Sequence, residues 1–111
     1  MKTPKNLVVV EGRLTAKPEF KKTKCGKSTC VFTLSNNRYY FQGKSLIDEV
    51  SYFKVVAYGP LGDRCATLAK GSLILVSGTL KMKEVDSIAG RANEVCIVAS
   101  NVKFISQKKA S

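Results

Sequence analysis

Apolar and polar residues alternate in short runs along most of this chain, and the runs are separated by glycine, proline or small polar residues. Alternation with a period of two is the signature of a half-buried strand. The first such run is Leu7–Leu14, with Val8, Val10, Gly12 and Leu14 on one face. Gly12 inside it predicts a bulge or a sharp bend. Pro18 assigns the following stretch, Thr15–Lys24, to an edge or a turn. A turn at Lys24–Ser28 leads to a second strand from about Thr29 to Tyr40, with Cys30, Phe32 and Leu34 facing one way and Val31 and Thr33 the other. Gln42–Glu49 reads as a polar hairpin loop.

The run Val50–Gly59 is the one around which the rest is organised. It is dominated by aromatic and β-branched residues, which suit a pleated strand. Phe53, Val55 and Ala57 form its core face; Tyr52, Lys54, Val56 and Tyr58 form the other. The period then changes. Leu61, Cys65 and Leu68 fall at i, i+4 and i+7, predicting a helix over Pro60–Gly71, with Pro60 in the first turn and Gly71 past the end. A fourth strand is expected over Ser72–Lys83, with Ile74, Val76, Gly78, Leu80 and Met82 inward and Thr79, Lys81 and Lys83 outward. Val85–Arg91 reads as a loop. A fifth strand runs from about Asn93 to Ile105, interrupted near Ser100 and Asn101. Five strands with one short helix between the third and fourth is the order of an all-β OB-fold, a Greek-key barrel, and Gly12 and Gly78 suit its coiling. Residues 1–105 would form this one domain and residues 106–111 a short basic tail.

Charge changes the picture. The 111 residues carry 19 Lys and Arg against 8 Asp and Glu, a net charge of +11. Such a field favours a polyanionic partner, nucleic acid or an anionic membrane surface. Residues 1–44 hold ten basic residues and two acidic ones, a polarisation that a merely solubilising surface does not need. No apolar run is long enough for a membrane span, and Leu7–Val10 is too short for a signal-peptide core, so a cytoplasmic, nucleoid-associated location without membrane contact is the default.

Histidine is absent, and the eight acids are scattered, with Asp48/Glu49 and Glu84/Asp86 in expected loops. Enzyme chemistry therefore has little to rest on, and no cofactor is expected. Cys25, Cys30, Cys65 and Cys96 include no CxxC pair, so a zinc site would have to gather all four from three regions. Free thiols fit better, with Cys30, Cys65 and Cys96 on core faces.

Two tyrosines flanking a lysine on one strand face have a chemical reading. Rings at Tyr52 and Tyr58 can stack on bases while Lys54 meets a phosphate. The bland alternative is a cross-strand aromatic ladder. Lys81 and Lys83 add cations to the barrel face, with Lys21, Lys22 and Arg38 at its edge. Arg38 shares a face with Tyr40, another cation beside another ring. Tyr39 and Phe41 read as packing residues, with a subunit contact as one place for them, and Phe20 as a stacking ring or a plug on the barrel rim.

The segments Asn6–Thr15 with Lys17-Pro18-Glu19, Phe32-Thr33-Leu34 running to Asn37-Arg38, Phe53–Gly59, and Lys70-Gly71-Ser72 through Val76–Leu80 occur in order from residue 6 to about 105. In them the chain resembles the bacterial single-stranded DNA-binding protein family. The resemblance implies an OB-fold that wraps single-stranded DNA without strict sequence preference in replication, recombination or repair. It implies a homotetramer, with a dimer as the alternative, in which Glu11 and Arg13 could pair across a subunit contact. The family's stacking positions match Tyr40, Tyr52 and Tyr58. A fourth, usually tryptophan, falls near Val85, and this chain has no tryptophan. The family's acidic, partner-recruiting tip has no counterpart in Lys108-Lys109-Ala110-Ser111, so that function is not carried over. Two rival readings keep the same fold: an RNA-binding or ribosome-associated module, and a primosome-type adaptor acting mainly through protein contacts.

Overall fold

The computed structural model describes residues 3–106. Its strands are β1 (Val8–Leu14), β2 (Glu19–Lys22), β3 (Ser28–Gln42), β4 (Ser45–Tyr58), β5 (Leu73–Ser87) and β6 (Gly90–Ser106), with a helix α1 (Gly59–Cys65) between β4 and β5. The sheet order is β1-β5-β6-β4-β3-β2, and β1 also pairs with β3. The five longer strands therefore close into a barrel, and β2 lies outside it as an edge strand. This is the OB-fold that the order of elements predicts, with the Thr15–Lys24 edge segment contributing a short extra strand.

Closure depends on β1 serving two neighbours. Val8 to Arg13 register with Gly78 to Leu73 of β5, whereas Arg13 and Leu14 register with Ser35 and Leu34 of β3. The strand turns between them at Gly12, where a Cβ would lie 2.6 Å from the Ser35 carbonyl oxygen. The second close approach is at Gly78, whose Cβ would run into the Val98 carbonyl. There the β5–β6 register slips, with Ser77 opposite Asn101 and Gly78 opposite Ala99. Ser100 is the extra residue, and its hydroxyl donates to the Ser77 carbonyl at 3.0 Å. The interruption expected near Ser100 is thus a β-bulge that bends the wall. A parallel pairing of Val55 and Val56 with Ile97 and Val98 completes the circuit.

The interior is filled from alternate positions, including Leu14, Cys30, Phe32, Leu34, Val55 and Ile74. Leu61 and Leu68 pack against this cluster from the helical side, and Cys65 is part of it. The helix stops at Cys65, short of the expected Gly71. The Gly71 amide instead donates to the Leu14 carbonyl at 2.8 Å, and the Leu14 amide donates to the Ser72 carbonyl at 3.0 Å. These bonds tie the return segment to the end of β1, and a longer helix would forfeit them.

Both long hairpins run past the barrel wall. Pairing of β3 with β4 is unbroken from Thr29–Tyr58 to Gln42–Ser45, leaving a two-residue turn at Gly43 and Lys44. Pairing of β5 with β6 continues to Ser87–Gly90. The stretches expected as loops, Gln42–Glu49 and Val85–Arg91, are therefore mostly strand. Their polarity reflects water on both faces of a two-stranded arm, while backbone hydrogen bonds maintain the strand. Phe53, Leu80 and Met82, expected inward, are exposed: they alternate correctly, but Phe53 and Leu80 pair with the last core residues, Leu34 and Ile97, where the hairpins leave the barrel, and Met82 lies beyond. Ser106 pairs with Leu73, so it belongs to β6; the remainder of the expected tail lies outside the described residues. Among the described residues no helix is long and apolar enough to cross a membrane.

Candidate nucleic-acid interface

Alternation along β4 sets the outer face as expected: Tyr52, Lys54, Val56 and Tyr58 point one way while Val55 and Ala57 are buried in the barrel. Register places Ser35, Thr33, Val31 and Thr29 of β3 beside them. The β5–β6 arm brings Lys81 and Lys83 to the same side. A recess of about 180 Å³ results, lined by Thr29, Val31, Lys54, Val56, Tyr58, Lys81, Lys83, Glu94 and Cys96. An adjoining recess of about 240 Å³ shares Val31 and Lys54 and adds Thr33, Lys17 and Glu19. Tyr52 stands exposed one step along β4 toward the arm. The result is a shallow trough with an apolar floor and cationic walls, with the Tyr58 ring at one end and the Tyr52 ring beyond the other.

The other sequence-selected residues divide. Lys21 pairs with Thr29, which pairs with Tyr58, so these three form one row across β2, β3 and β4 on the trough side. Lys22 and Phe20 take the opposite side of β2 and are exposed. Tyr40 does not join Tyr52 and Tyr58. It pairs with Ile47, Arg38 pairs with Glu49, and both belong to the opposite face of the β3–β4 arm. There the Arg38 guanidinium lies 5.5 Å from the Tyr40 ring centroid, and the Tyr40 hydroxyl donates to a Glu49 carboxylate oxygen at 3.4 Å. The residues that continue the Tyr52 side are Tyr39 and Phe41, which are exposed rather than packed within the chain.

Several residues that bear on the trough escaped the sequence reading. Glu94 places a carboxylate inside it, 3.4 Å from Lys54 Nζ. Lys27 lies with its ammonium 5.8 Å from the Tyr58 ring centroid. Lys17 contributes a further cation. Counting back by two from Cys96 would have found Glu94, had Cys96 been placed correctly. Cys96 pairs with Lys81 and lines the trough floor, whereas its neighbour Ile97 faces the core. Cys30 and Cys65 are core residues as expected. Burial raises both thiol pKa values, that of Cys65 to about 11, with nearby Cys30 adding to the rise and Arg64 opposing it.

Arg13 donates to the Gly71 carbonyl at 2.9 Å. One further expectation is corrected. The acids Glu84 and Asp86 are strand residues beside Arg91, at 2.9 and 4.0 Å from its guanidinium, rather than free turn residues. Among the described residues no three Cys, Asp or Glu side chains gather as a metal-ligand set.

Comparison with known proteins agrees with this architecture. Residues 5–105 match the single-strand binding protein family model. A single-stranded DNA-binding protein of Aquifex aeolicus is 34% identical over 108 residues, covering 96% of this chain and 74% of the relative. One from Treponema pallidum is 33% identical over 101 residues, covering 90% of this chain and 57% of the relative. The solved structure of a Plasmodium falciparum SSB in complex with ssDNA superposes with a TM-score of 0.86 at 19% identity, covering 96% of this chain and 99% of that one, a likeness of fold. With the family match spanning nearly all of the barrel and both arms, the chain belongs to the single-strand binding protein family.

Proposed function

We propose that this protein binds single-stranded DNA with little sequence preference, by stacking bases on Tyr52 and Tyr58 and by neutralising phosphates with Lys54, Lys81, Lys83 and Lys21. The observation that carries the reading is the placement of Tyr58 and three lysines around one recess, with Tyr52 on the same face of β4 one step beyond Lys54 and with Lys21 and Lys27 beside Tyr58. Every base has a π-face, so rings of this kind accept any sequence. Cations along the backbone release counterions, which makes binding salt-sensitive. Duplex DNA keeps its bases stacked internally and should bind more weakly. Tyr40, with Arg38 and Lys22, contributes where the strand passes around the arm and the β2 edge. The Arg38 guanidinium must then leave the Tyr40 ring for a base to take its place.

In this reading the protein is a binding protein rather than an enzyme. It protects exposed strands in replication, recombination or repair, in the cytoplasm at the nucleoid. It does so as a homo-oligomer, a tetramer or a dimer. Exposed Leu7 and Val9 on the outer side of β1, and Leu80, Met82 and Val95 on the second arm, are apolar surface that such an assembly would cover. The direct test replaces the trough rings. Stacking is worth about 1–3 kcal/mol per base by alanine substitution. Tyr52→Ala combined with Tyr58→Ala should weaken oligo-dT binding by about tenfold or more. An unchanged affinity in the folded double variant would sink the reading.

A further inference from the structure

We propose that Tyr39 and Phe41 form a second stacking segment that extends the single-strand path from the trough along the β3–β4 arm. The inference rests on the single-strand reading above and locates a part of the site which that reading does not include.

Residues directly opposite in an antiparallel pair share a face. Tyr52 lies opposite Ser35, Val50 opposite Asn37, Asp48 opposite Tyr39 and Leu46 opposite Phe41. No register shift interrupts this run, so Tyr39 and Phe41 are on the same side of the hairpin as Tyr52 and Tyr58. Side chains two apart on a strand are separated by about 6.8 Å, from a rise of about 3.4 Å per residue. That is twice the spacing of about 3.4 Å per nucleotide along a stacked strand. One base therefore fits between the Tyr39 and Phe41 rings. From the position opposite Tyr52 to Phe41 the arm advances about 20 Å, six residues at that rise.

Accessibility separates these rings from their neighbour. Tyr39 is 63% and Phe41 74% exposed, and among the described residues no cation or side-chain hydrogen bond holds either ring. Tyr40 is 37% exposed, covered by Arg38 and bonded to Glu49. A base arriving from Tyr52 meets Tyr39 and Phe41 without displacing anything. Phe41 has no polar atom to give it a reason for facing water. The electrostatics also differ from those of the trough. Asp48 stands opposite Tyr39, so this segment offers phosphates no net attraction. Its contribution should come from stacking and be nearly independent of salt.

The test compares the full-length protein with Tyr39→Ala/Phe41→Ala, Tyr39→Leu/Phe41→Leu, Tyr40→Ala and Tyr52→Ala/Tyr58→Ala. The probes are labelled oligo-dT of about 8 and about 16 nucleotides, lengths within the span of one OB-fold. Each variant is also sized by light scattering. The two double variants at 39 and 41 should lose about tenfold or more on the longer probe and little on the shorter one. The slope of log affinity against log salt should not change, and Tyr40→Ala should have a smaller effect. Leucine keeps the apolar surface but removes the ring, so equal losses for leucine and alanine support stacking. Undiminished binding of the longer probe overturns the inference if Tyr52→Ala/Tyr58→Ala still weakens it. A drop in molar mass for the 39/41 variants also overturns it, because a second copy of the chain then covers the rings. If the 52/58 variant binds normally as well, the underlying single-strand reading fails with it.

Discussion

Glu94→Gln should tighten single-strand binding. Glu94 is the acid lining the main recess, and its carboxylate lies 3.4 Å from Lys54 Nζ. A phosphate entering the trough must therefore compete with it for the ammonium. At that separation the Coulomb attraction is about 1.2 kcal/mol at the dielectric constant of water. Both groups are partly exposed, and measured pairs of this kind retain about 0.2–1 kcal/mol. Releasing Lys54 is thus worth up to about 1 kcal/mol, roughly a two- to fivefold gain in affinity. If Lys54 then meets one additional phosphate, the slope of log affinity against log salt should steepen by about 0.7, the value per phosphate for single strands. Anisotropy titrations of oligo-dT at several salt concentrations measure both quantities. In a Lys54→Gln background the gain from Glu94→Gln should shrink and the change of slope should vanish. Weaker binding by Glu94→Gln, or equal binding with an unchanged slope, would refute the competition; Glu94 would then act by holding Lys54 in position.

The fold makes two other commitments. Gly12→Ala puts a Cβ 2.6 Å from the Ser35 carbonyl oxygen at the bend of β1. It should cost about 1–3 kcal/mol, as overpacking does. A thermal melt should show a fall of several degrees, roughly 4–8 °C per kcal/mol for a domain near this size, and an unchanged midpoint would mean that β1 does not need its bend there. Burial raises the Cys65 thiol from 9.0 to about 11 in the folded chain. The unfolded thiol ionises first, so stability is intact below about pH 9 and declines as pH rises from there through about 11. Denaturant melts of the wild type and Cys65→Ala over that range should show the wild type losing stability relative to the variant, and parallel curves would contradict the assignment.

Much of this molecule is written in its alternation. Cys30, Phe32 and Leu34 of β3, Val55 and Ala57 of β4, and Ile74 and Val76 of β5 are read inward from the sequence and lie in the core. The bend at Gly12 and the bulge at Ser100 are legible because each interrupts a regular pattern. What period-two reading could not supply is where the barrel ends. Phe53, Leu80 and Met82 keep the inward phase, yet are exposed at and beyond the rim where the arms leave the barrel. Polar composition concealed the arms as well, since Ser45–Glu49 looks like a loop but pairs along its length. At the site, alternation on β4 correctly grouped Tyr52, Lys54 and Tyr58. The phase between strands decides the rest, and only register provides it. Register separates Tyr40 from Tyr52, joins Tyr39 and Phe41 to it, and turns Cys96 and Glu94 toward the trough. The Lys54–Glu94 contact bridges two parallel-paired strands 40 positions apart in sequence, a distance that no local pattern spans.

The central claim is that the trough takes single-stranded DNA through ring stacking and phosphate neutralisation. It is tested most directly by anisotropy titrations of labelled oligo-dT, an RNA oligonucleotide of matched length, and a DNA duplex, each at two salt concentrations. Tight oligo-dT binding that weakens with salt, together with weaker binding of RNA and duplex, is the expected result. RNA binding equal to or tighter than that of oligo-dT would reassign the protein as an RNA module, and weak binding of all three would mean that the tyrosines serve protein contacts instead.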